Sequence, residues 1–173
     1  MNVELQPLDV AHVARLRELH QQPGVARWWG AMEEGFPFDE PESQRFAIVV
    51  DGEVAGLVQW GDDSYPEARH AYVDIFLGDD FAGRGIGTEA MRQVTRRLIE
   101  EHGYHRITLD PAADNEHAIR SYEKVGFRRV GTCRRASIDD ASGDWRDELL
   151  MELVVEPGRG SPPNRGRSEE RLV

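Results

Sequence analysis

Hydrophobic residues recur along this chain with two spacings, one close to a helical turn and one alternating, and the changes of spacing mark its elements. From Asp9 to His20, Val10, Val13, Leu16 and Leu19 fall at helical intervals, and Asp9 has the side chain of an N-cap. Pro23 opens a second short helix carrying "VARWWG", closed by Gly30. "RFAIVV" and "VAGLVQW" flank Asp51-Gly52, a dipeptide whose backbone freedom suits a tight hairpin turn. "HAYVDIFLG" (His70–Gly78) is rich in β-branched and aromatic residues and reads as a strand. Gly87–Glu101 sets Ala90, Met91, Val94, Leu98 and Ile99 on one helical stripe, which Gly103 ends. "HRITLD" (His105–Asp110) is a strand whose last residue Pro111 holds extended. "NEHAIRSYEKVGF" is a short helix with Ala118, Ile119, Tyr122 and Val125 inward and Gly126 as its stop, and "RRVGTCRRASI" and "WRDELLMELVV" close the chain as an antiparallel pair.

This order predicts a mixed α/β domain, one layer of sheet with helices on both faces. A length of 173 residues suits a single core. Residues 1–156 are expected to form that domain; "PGRGSPPNRGRSEERLV" (157–173) has almost no core-forming residues and is expected to be a disordered tail. No apolar run approaches the ~18 residues of a membrane span, and "MNVELQPLDV" lacks the layout of a signal peptide, so a cytoplasmic protein with no membrane partner is expected. The single cysteine, Cys133, precludes an internal disulfide. Neither it nor the histidines (His12, His20, His70, His102, His105, His117) show metal-ligand spacing, so no metal is expected.

A net charge of −11 argues against nucleic acid as a partner and favours a cationic substrate. The carboxylates gather in "MEEGFPFDEPE" (Met32–Glu42), "DDSYPE" (Asp62–Glu67) and "DDASGDWRDE" (Asp139–Glu148), segments that read as connections. A solvated surface accounts for any one of them. Three together point towards recognition of ammonium groups.

"FAGRGIGTEAM" (Phe81–Met91) crowds three glycines and one arginine into seven residues at the mouth of a helix. Bare backbone lets N–H groups approach a ligand, and a helix start offers unpaired donors and a positive dipole end, which together suit phosphate. The spacing Gly83-x-Gly85-x-Gly87 is not that of a dinucleotide-binding turn, and the Gly-Lys-Ser/Thr of a P-loop is missing.

Strand, "RGIG", helix, strand and then "NEHAIRSYEKVGF" together resemble the GNAT superfamily of acetyl-CoA-dependent N-acetyltransferases over roughly Val3 to Val155. "WWG", "YVDIFLG" and "LDPAADNEHAIRSYEKVGF" further resemble aminoglycoside 6′-N-acetyltransferases. The resemblance implies the GNAT fold, a mixed, mostly antiparallel sheet flanked by helices. It implies acetyl-CoA as co-substrate and a small cationic amine, the 6′-amine of an aminoglycoside antibiotic, as acceptor, which would make the protein an antibiotic-resistance enzyme. The loop Ala82, Gly83, Arg84, Gly85, Ile86, Gly87, with Thr88 as a hydroxyl donor, is expected to hold the coenzyme pyrophosphate, and Ile75, Phe76 and Leu77 to lie beside the pantetheine. Asn115 and Ala118 complete the expected coenzyme contacts. Where the superfamily loop commonly begins with Gln or Arg this chain has Ala82, which leaves Arg84 and the backbone to carry the pyrophosphate.

Acetyl transfer to an amine needs a deprotonated nucleophile, help for the carbonyl oxygen and a proton for the thiolate. Asp74 interrupts an otherwise apolar strand, a costly position for a carboxylate that nothing uses, and alternation sets it on one face with Tyr72 and Phe76. It is the expected base; an edge position or an arginine partner would also explain it. Tyr122 matches the superfamily tyrosine that protonates the thiolate, and it lies equally on the apolar stripe of its helix. Asp110 resembles an aspartate that contacts substrate amines. Trp28 and Trp29 are expected to wall the pocket, one of them packed into the core. Glu33, Glu34, Asp144 and Asp147 are further candidates for ammonium contacts. Arg128-Arg129 and Arg134-Arg135 read as solvated strand faces, one arginine within reach of the coenzyme 3′-phosphate. Other amines (a siderophore hydroxylysine, a polyamine, a protein N-terminus) and a non-catalytic acyl-CoA-binding module remain open, as does the choice between monomer and homodimer.

Overall fold

The computed structural model describes residues 1–40, 42–63 and 68–155, so the tail expected at 157–173 and most of "DDSYPE" lie outside the described residues. In chain order the elements are β1 (Val3–Pro7), α1 (Val10–His20), α2 (Pro23–Trp29), β2 (Gln44–Val50), β3 (Glu53–Asp62) and β4 (Ala71–Leu77). A single 3₁₀ turn (Asp79–Phe81) then leads to α3 (Ile86–Glu100), β5 (Arg106–Leu109), α4 (Glu116–Val125), β6 (Arg128–Ile138) and β7 (Trp145–Val154). The seven strands form one sheet in the order β1-β2-β3-β4-β5-β7-β6, antiparallel at every pairing except β4 with β5. This is the mixed α/β architecture expected from the pattern, with β1 added.

Local chemistry sets most boundaries. Asp9 caps α1 reciprocally: its carboxylate accepts from the Ala11 N–H at 3.0 Å while its own N–H donates to His12 Nδ1 at 3.1 Å. Asp51 and Gly52 both adopt positive φ, 49° and 89°, which turns β2 into β3. Leu16 and Leu19 bury the inner face of α1, but Val10, the first helical residue, is 78% exposed.

The sheet divides two apolar clusters. On one face α3 and α4 lay Ile86, Ala90, Met91, Val94, Leu98 and Ile119 against Ile48, Val58, Val73, Ile107 and Met151. On the other, Leu16, Leu19 and Val25 of α1 and α2 meet Phe36, Leu57 and Phe76. Strand alternation sends Val73 and Phe76 into opposite clusters, which puts Asp74 on the α1–α2 side of the sheet.

The pairing that matters for the site is the weakest. β4 and β5 are in register only at Ala71↔Ile107 and Tyr72↔Thr108. Beyond them the chain loses β4 and keeps only its β7 partner, with which β5 is paired from Arg106 to Leu109: Leu149 N–H donates to Pro111 O at 2.8 Å, and Ala113 N–H donates to Asp147 O at 2.9 Å. Pro111 has no N–H to return to β4. The two strands therefore part, and the gap between them is the mouth of a cleft.

Candidate active site

The cleft, of about 730 Å³, runs from the glycine turn past the free half of β4 to the end of β5 and the start of β7. At one end the backbone does the work. Gly83 and Gly85 hold φ of 74° and 82° with open space where a Cβ would stand, the left-handed geometry that folds the turn back onto α3. Gly85 is the N-cap of α3 and no side chain caps that first turn, which leaves its N–H donors and the dipole end facing the cleft. Ala82, Gly83, Gly85, Gly87 and Thr88 line this end, together with Asn115 and Ala118 from the start of α4. Asn115 caps α4 by accepting from the Ala118 N–H at 3.2 Å. The Thr88 hydroxyl is 2.7 Å from that of Ser121, a contact that ties α3 to α4 at the edge of the cleft where Thr88 was expected as a hydroxyl donor.

Two residues of the expected loop do not reach the cleft. Ile86 is fully buried under the turn and anchors it through the core. Arg84 folds back, with Nη1 donating to Asp80 O at 3.4 Å and its guanidinium over the Phe81 ring. Positive charge at this end comes instead from Arg120 and Lys124 of α4, which line the cleft.

Along the middle, Asp74, Ile75, Phe76 and Leu77 form one wall. Gly78 donates its N–H to Ala55 O of β3 at 2.9 Å, so alternation turns the N–H groups of Ile75 and Leu77 the other way, towards the gap β5 has vacated. Tyr122 lines the cleft from α4 and rests edge-on against Phe127, with ring centroids 6.2 Å apart. Burial, reinforced by the charges of Asp74 and Asp110, pushes its phenol well above the usual tyrosine range and keeps it protonated. Core packing and a place in the cleft coexist in this residue.

The far end is acidic. Asp74, Asp110, Glu40 and Glu148 all line it. Burial pushes the Asp74 carboxyl up to about 6 from an ordinary 3.8, opposed by a hydrogen bond from Gln59 Nε2 at 3.4 Å and assisted by Asp110, Glu40 and Glu148. A carboxyl poised there is mostly ionised at neutral pH and still basic enough to accept a proton. Trp28 and Trp29 both line the cleft; Trp29 is also packed edge-on to Phe76 at 4.9 Å, and Trp28 lies under the Arg27 guanidinium.

The acidic segments contribute differently from expectation. Glu33 belongs to a neighbouring cavity of about 350 Å³ bounded by His20, Asp39 and Asp140. Asp144 sits exposed in the β6–β7 turn and does not reach the cleft. Asp147 points away to accept from the Arg135 N–H at 2.8 Å, and the Glu34 carbonyl accepts from Arg17 at 3.3 Å, an anchor for its loop. Glu40, Gln59 and Glu148, which do line the cleft, went unassigned in the sequence. Glu148 is two residues from Arg146 on the same face of β7, and that alternation was the available signal. Among the described residues no group of His, Cys, Asp and Glu is arranged to hold a metal, and no helix is long and apolar enough to cross a membrane.

Comparison with known proteins places the chain among acetyltransferases. The aminoglycoside N(6′)-acetyltransferase type 1 of Klebsiella pneumoniae is 26% identical over 155 residues, spanning 76% of this chain and 76% of its own length. The spermidine N(1)-acetyltransferase of Escherichia coli K12 is 26% identical over 167 residues, spanning 87% of this chain and 84% of its own. Among solved structures, the spermidine N-acetyltransferase from Vibrio cholerae in complex with CoA and spermine shares the fold, with a TM-score of 0.75 at 18% identity over 88% of this chain and 95% of that one. The model of the acetyltransferase (GNAT) family matches residues 11–127, from α1 through the end of α4, and the chain belongs to that family.

Proposed function

We propose that the protein transfers the acetyl group of acetyl-CoA to a primary amine of a small polycationic acceptor, most specifically the 6′-amine of an aminoglycoside. The observation that carries this reading is the position of Asp74, between a backbone-lined anion end and a carboxylate-lined end of one cleft. The residues fit the donor: the uncapped first turn of α3 with Gly85 and Gly87 suits a pyrophosphate, and Arg120 and Lys124 supply charge beside it. The bound thioester supplies an activated acyl group. The backbone N–H groups of Ile75 and Leu77 stand free to polarise its carbonyl oxygen. Asp74 takes a proton from the acceptor ammonium, directly or through water, and its raised pKa narrows the gap for that transfer. Tyr122, held protonated, gives its proton to the departing thiolate and recovers one from the amide nitrogen, which sheds its second proton as the tetrahedral intermediate collapses.

Glu40, Asp110 and Glu148 draw in an acceptor with several positive charges and hold its other ammonium groups. An aminoglycoside answers that arrangement, and the tryptophans at the wall offer faces to a sugar ring. A polyamine is the second reading, because four carboxylates recognise charge and not a ring. Thiol release from acetyl-CoA separates them. Turnover with kanamycin and none with a 6′-hydroxyl analogue supports the aminoglycoside. Spermidine turned over with equal kcat/KM moves the assignment to polyamines, and coenzyme binding without turnover of any amine refutes an enzyme.

A further inference from the structure

Three strands bring three polar side chains into one row. The register sets Arg45 of β2 opposite Gln59 of β3, and Gln59 opposite Asp74 of β4. Such directly opposed residues share a face and meet side chain to side chain. Arg45 and Gln59 are both buried, and Arg45 does not line the cleft, whereas Gln59 does.

The guanidinium of Arg45 is spent entirely on this neighbourhood. Its Nε donates to Gln59 Oε1 at 2.7 Å and its Nη1 donates to Pro37 O at 2.7 Å. The same Nη1 pairs with Asp39, and Nη2 pairs with Glu40 Oε1 at 3.1 Å. A guanidinium only donates, so the Gln59 atom facing it must be the carbonyl oxygen. The amide nitrogen is thereby aimed the other way, 3.4 Å from Asp74 Oδ2 and 3.4 Å from Glu40 Oε2. One NH₂ group thus lies between two carboxylates, one from the sheet and one from the acidic loop, and a buried arginine fixes both that amide and the loop.

We propose that Arg45 and Gln59 are positioning residues, which hold the Glu40 carboxylate beside that of Asp74 so that a second ammonium of the acceptor is held next to the reacting one. This rests on the reading of Asp74 as the base. Glu40 then sets the preference for cationic acceptors, and its loop is part of the active site although most of its carboxylates are not.

The row has a signature that a packing role lacks. The Gln59 N–H favours the ionised form of Asp74, while Glu40 from the loop, Asp110 from the end of β5 and Glu148 from β7 oppose it, with the Tyr122 hydroxyl of α4 close by. Gln59→Met, which keeps length and volume, should move the acid limb of kcat/KM upward by about half to one pH unit. The rate then falls roughly two- to fivefold at pH 6 and changes little above pH 8. Arg45→Lys keeps the charge against Asp39 and Glu40 but loses the Nε donor. It should shift the limb in the same direction and raise KM for a polycationic amine more than for a monoamine.

Profiles of kcat/KM from pH 5 to 9 for wild type, Gln59→Met, Arg45→Lys and Asp74→Asn decide the matter, with thermal melts to verify folding. A wild-type limb missing from Asp74→Asn, together with shifted limbs in the other two, supports the row. Limbs unmoved in both, or activity lost equally at every pH, overturn it while leaving the base in place. Wild-type turnover by Asp74→Asn overturns the underlying reading and the proposal with it. If one of the two variants fails to fold, the limb of the other decides by the same criterion.

Discussion

Asp74→Asn should leave the protein more stable at neutral pH while removing most of its activity. The carboxyl titrates at about 6 in the fold against an ordinary 3.8, with burial as the main cause. Between those two values the native state keeps a proton that the unfolded chain gives up, so this group makes stability fall as pH rises through the window. Above it the charged form carries the full cost, and the gap is worth roughly 3 kcal/mol at 1.36 kcal/mol per pH unit. Water reaches Asp74 from the cleft, which brings the expected gain down to about 1–3 kcal/mol. At 2–4 °C per kcal/mol for a chain of this length, the variant should melt about 2–12 °C above wild type at pH 8. Near pH 4 the wild-type carboxyl regains its proton and the difference should vanish. Calorimetric melts at pH 4, 6 and 8 measure this. A gain of the same size at every pH, or a loss at pH 8, would refute the claim that a strained carboxylate is kept there for use. A cost borne in stability at a catalytic group is a common trade.

Other consequences concern the coenzyme end and the sheet. Gly87→Ala puts a methyl group into the cleft while its Cβ meets only Leu77 Cδ1 at 3.4 Å, so KM for acetyl-CoA should rise about tenfold without a fall in melting temperature. Gly56→Ala drives a Cβ to 2.1 Å from the Phe76 carbonyl oxygen, so β3 and β4 must separate; urea titration should show a loss of about 3 kcal/mol and weaker coenzyme binding. Tyr122→Phe should lower kcat about ten- to a hundredfold with the calorimetric affinity for acetyl-CoA unchanged, since only the proton donor is removed.

The sequence carried the sheet, both helical faces and the glycine turn because local rules agree there: a capped α1, an Asp-Gly hairpin, an apolar stripe on α3. The strand β1 escaped because five residues, Val3–Pro7, give too few alternations, and its pairing partner Val50 lies far along the chain. Asp74 was legible as a carboxylate in an otherwise apolar strand, whereas Tyr122 stood out only through the superfamily resemblance, since its place on an apolar stripe reads equally as core. Glu40 was not distinguishable from Glu33 and Glu34, because what separates them is the buried Arg45, a partner that only the β2–β3 register reveals. Arg84 reads in the sequence as a ligand contact because it is a cation in a phosphate-type turn; the structure shows its guanidinium donating to Asp80 O, a local contact that the sequence does not reveal.

The proposed reaction needs a cleft that binds a thioester at its backbone end and takes a proton from an amine at its acidic end. Its most direct test is the pH dependence of thiol release from acetyl-CoA with kanamycin as acceptor, wild type beside Asp74→Asn. The expected result is turnover with an acid limb near pH 6 in the wild type and a rate at least a hundredfold lower in the variant. Equal rates in the two proteins, or no thiol released with any amine, would contradict it.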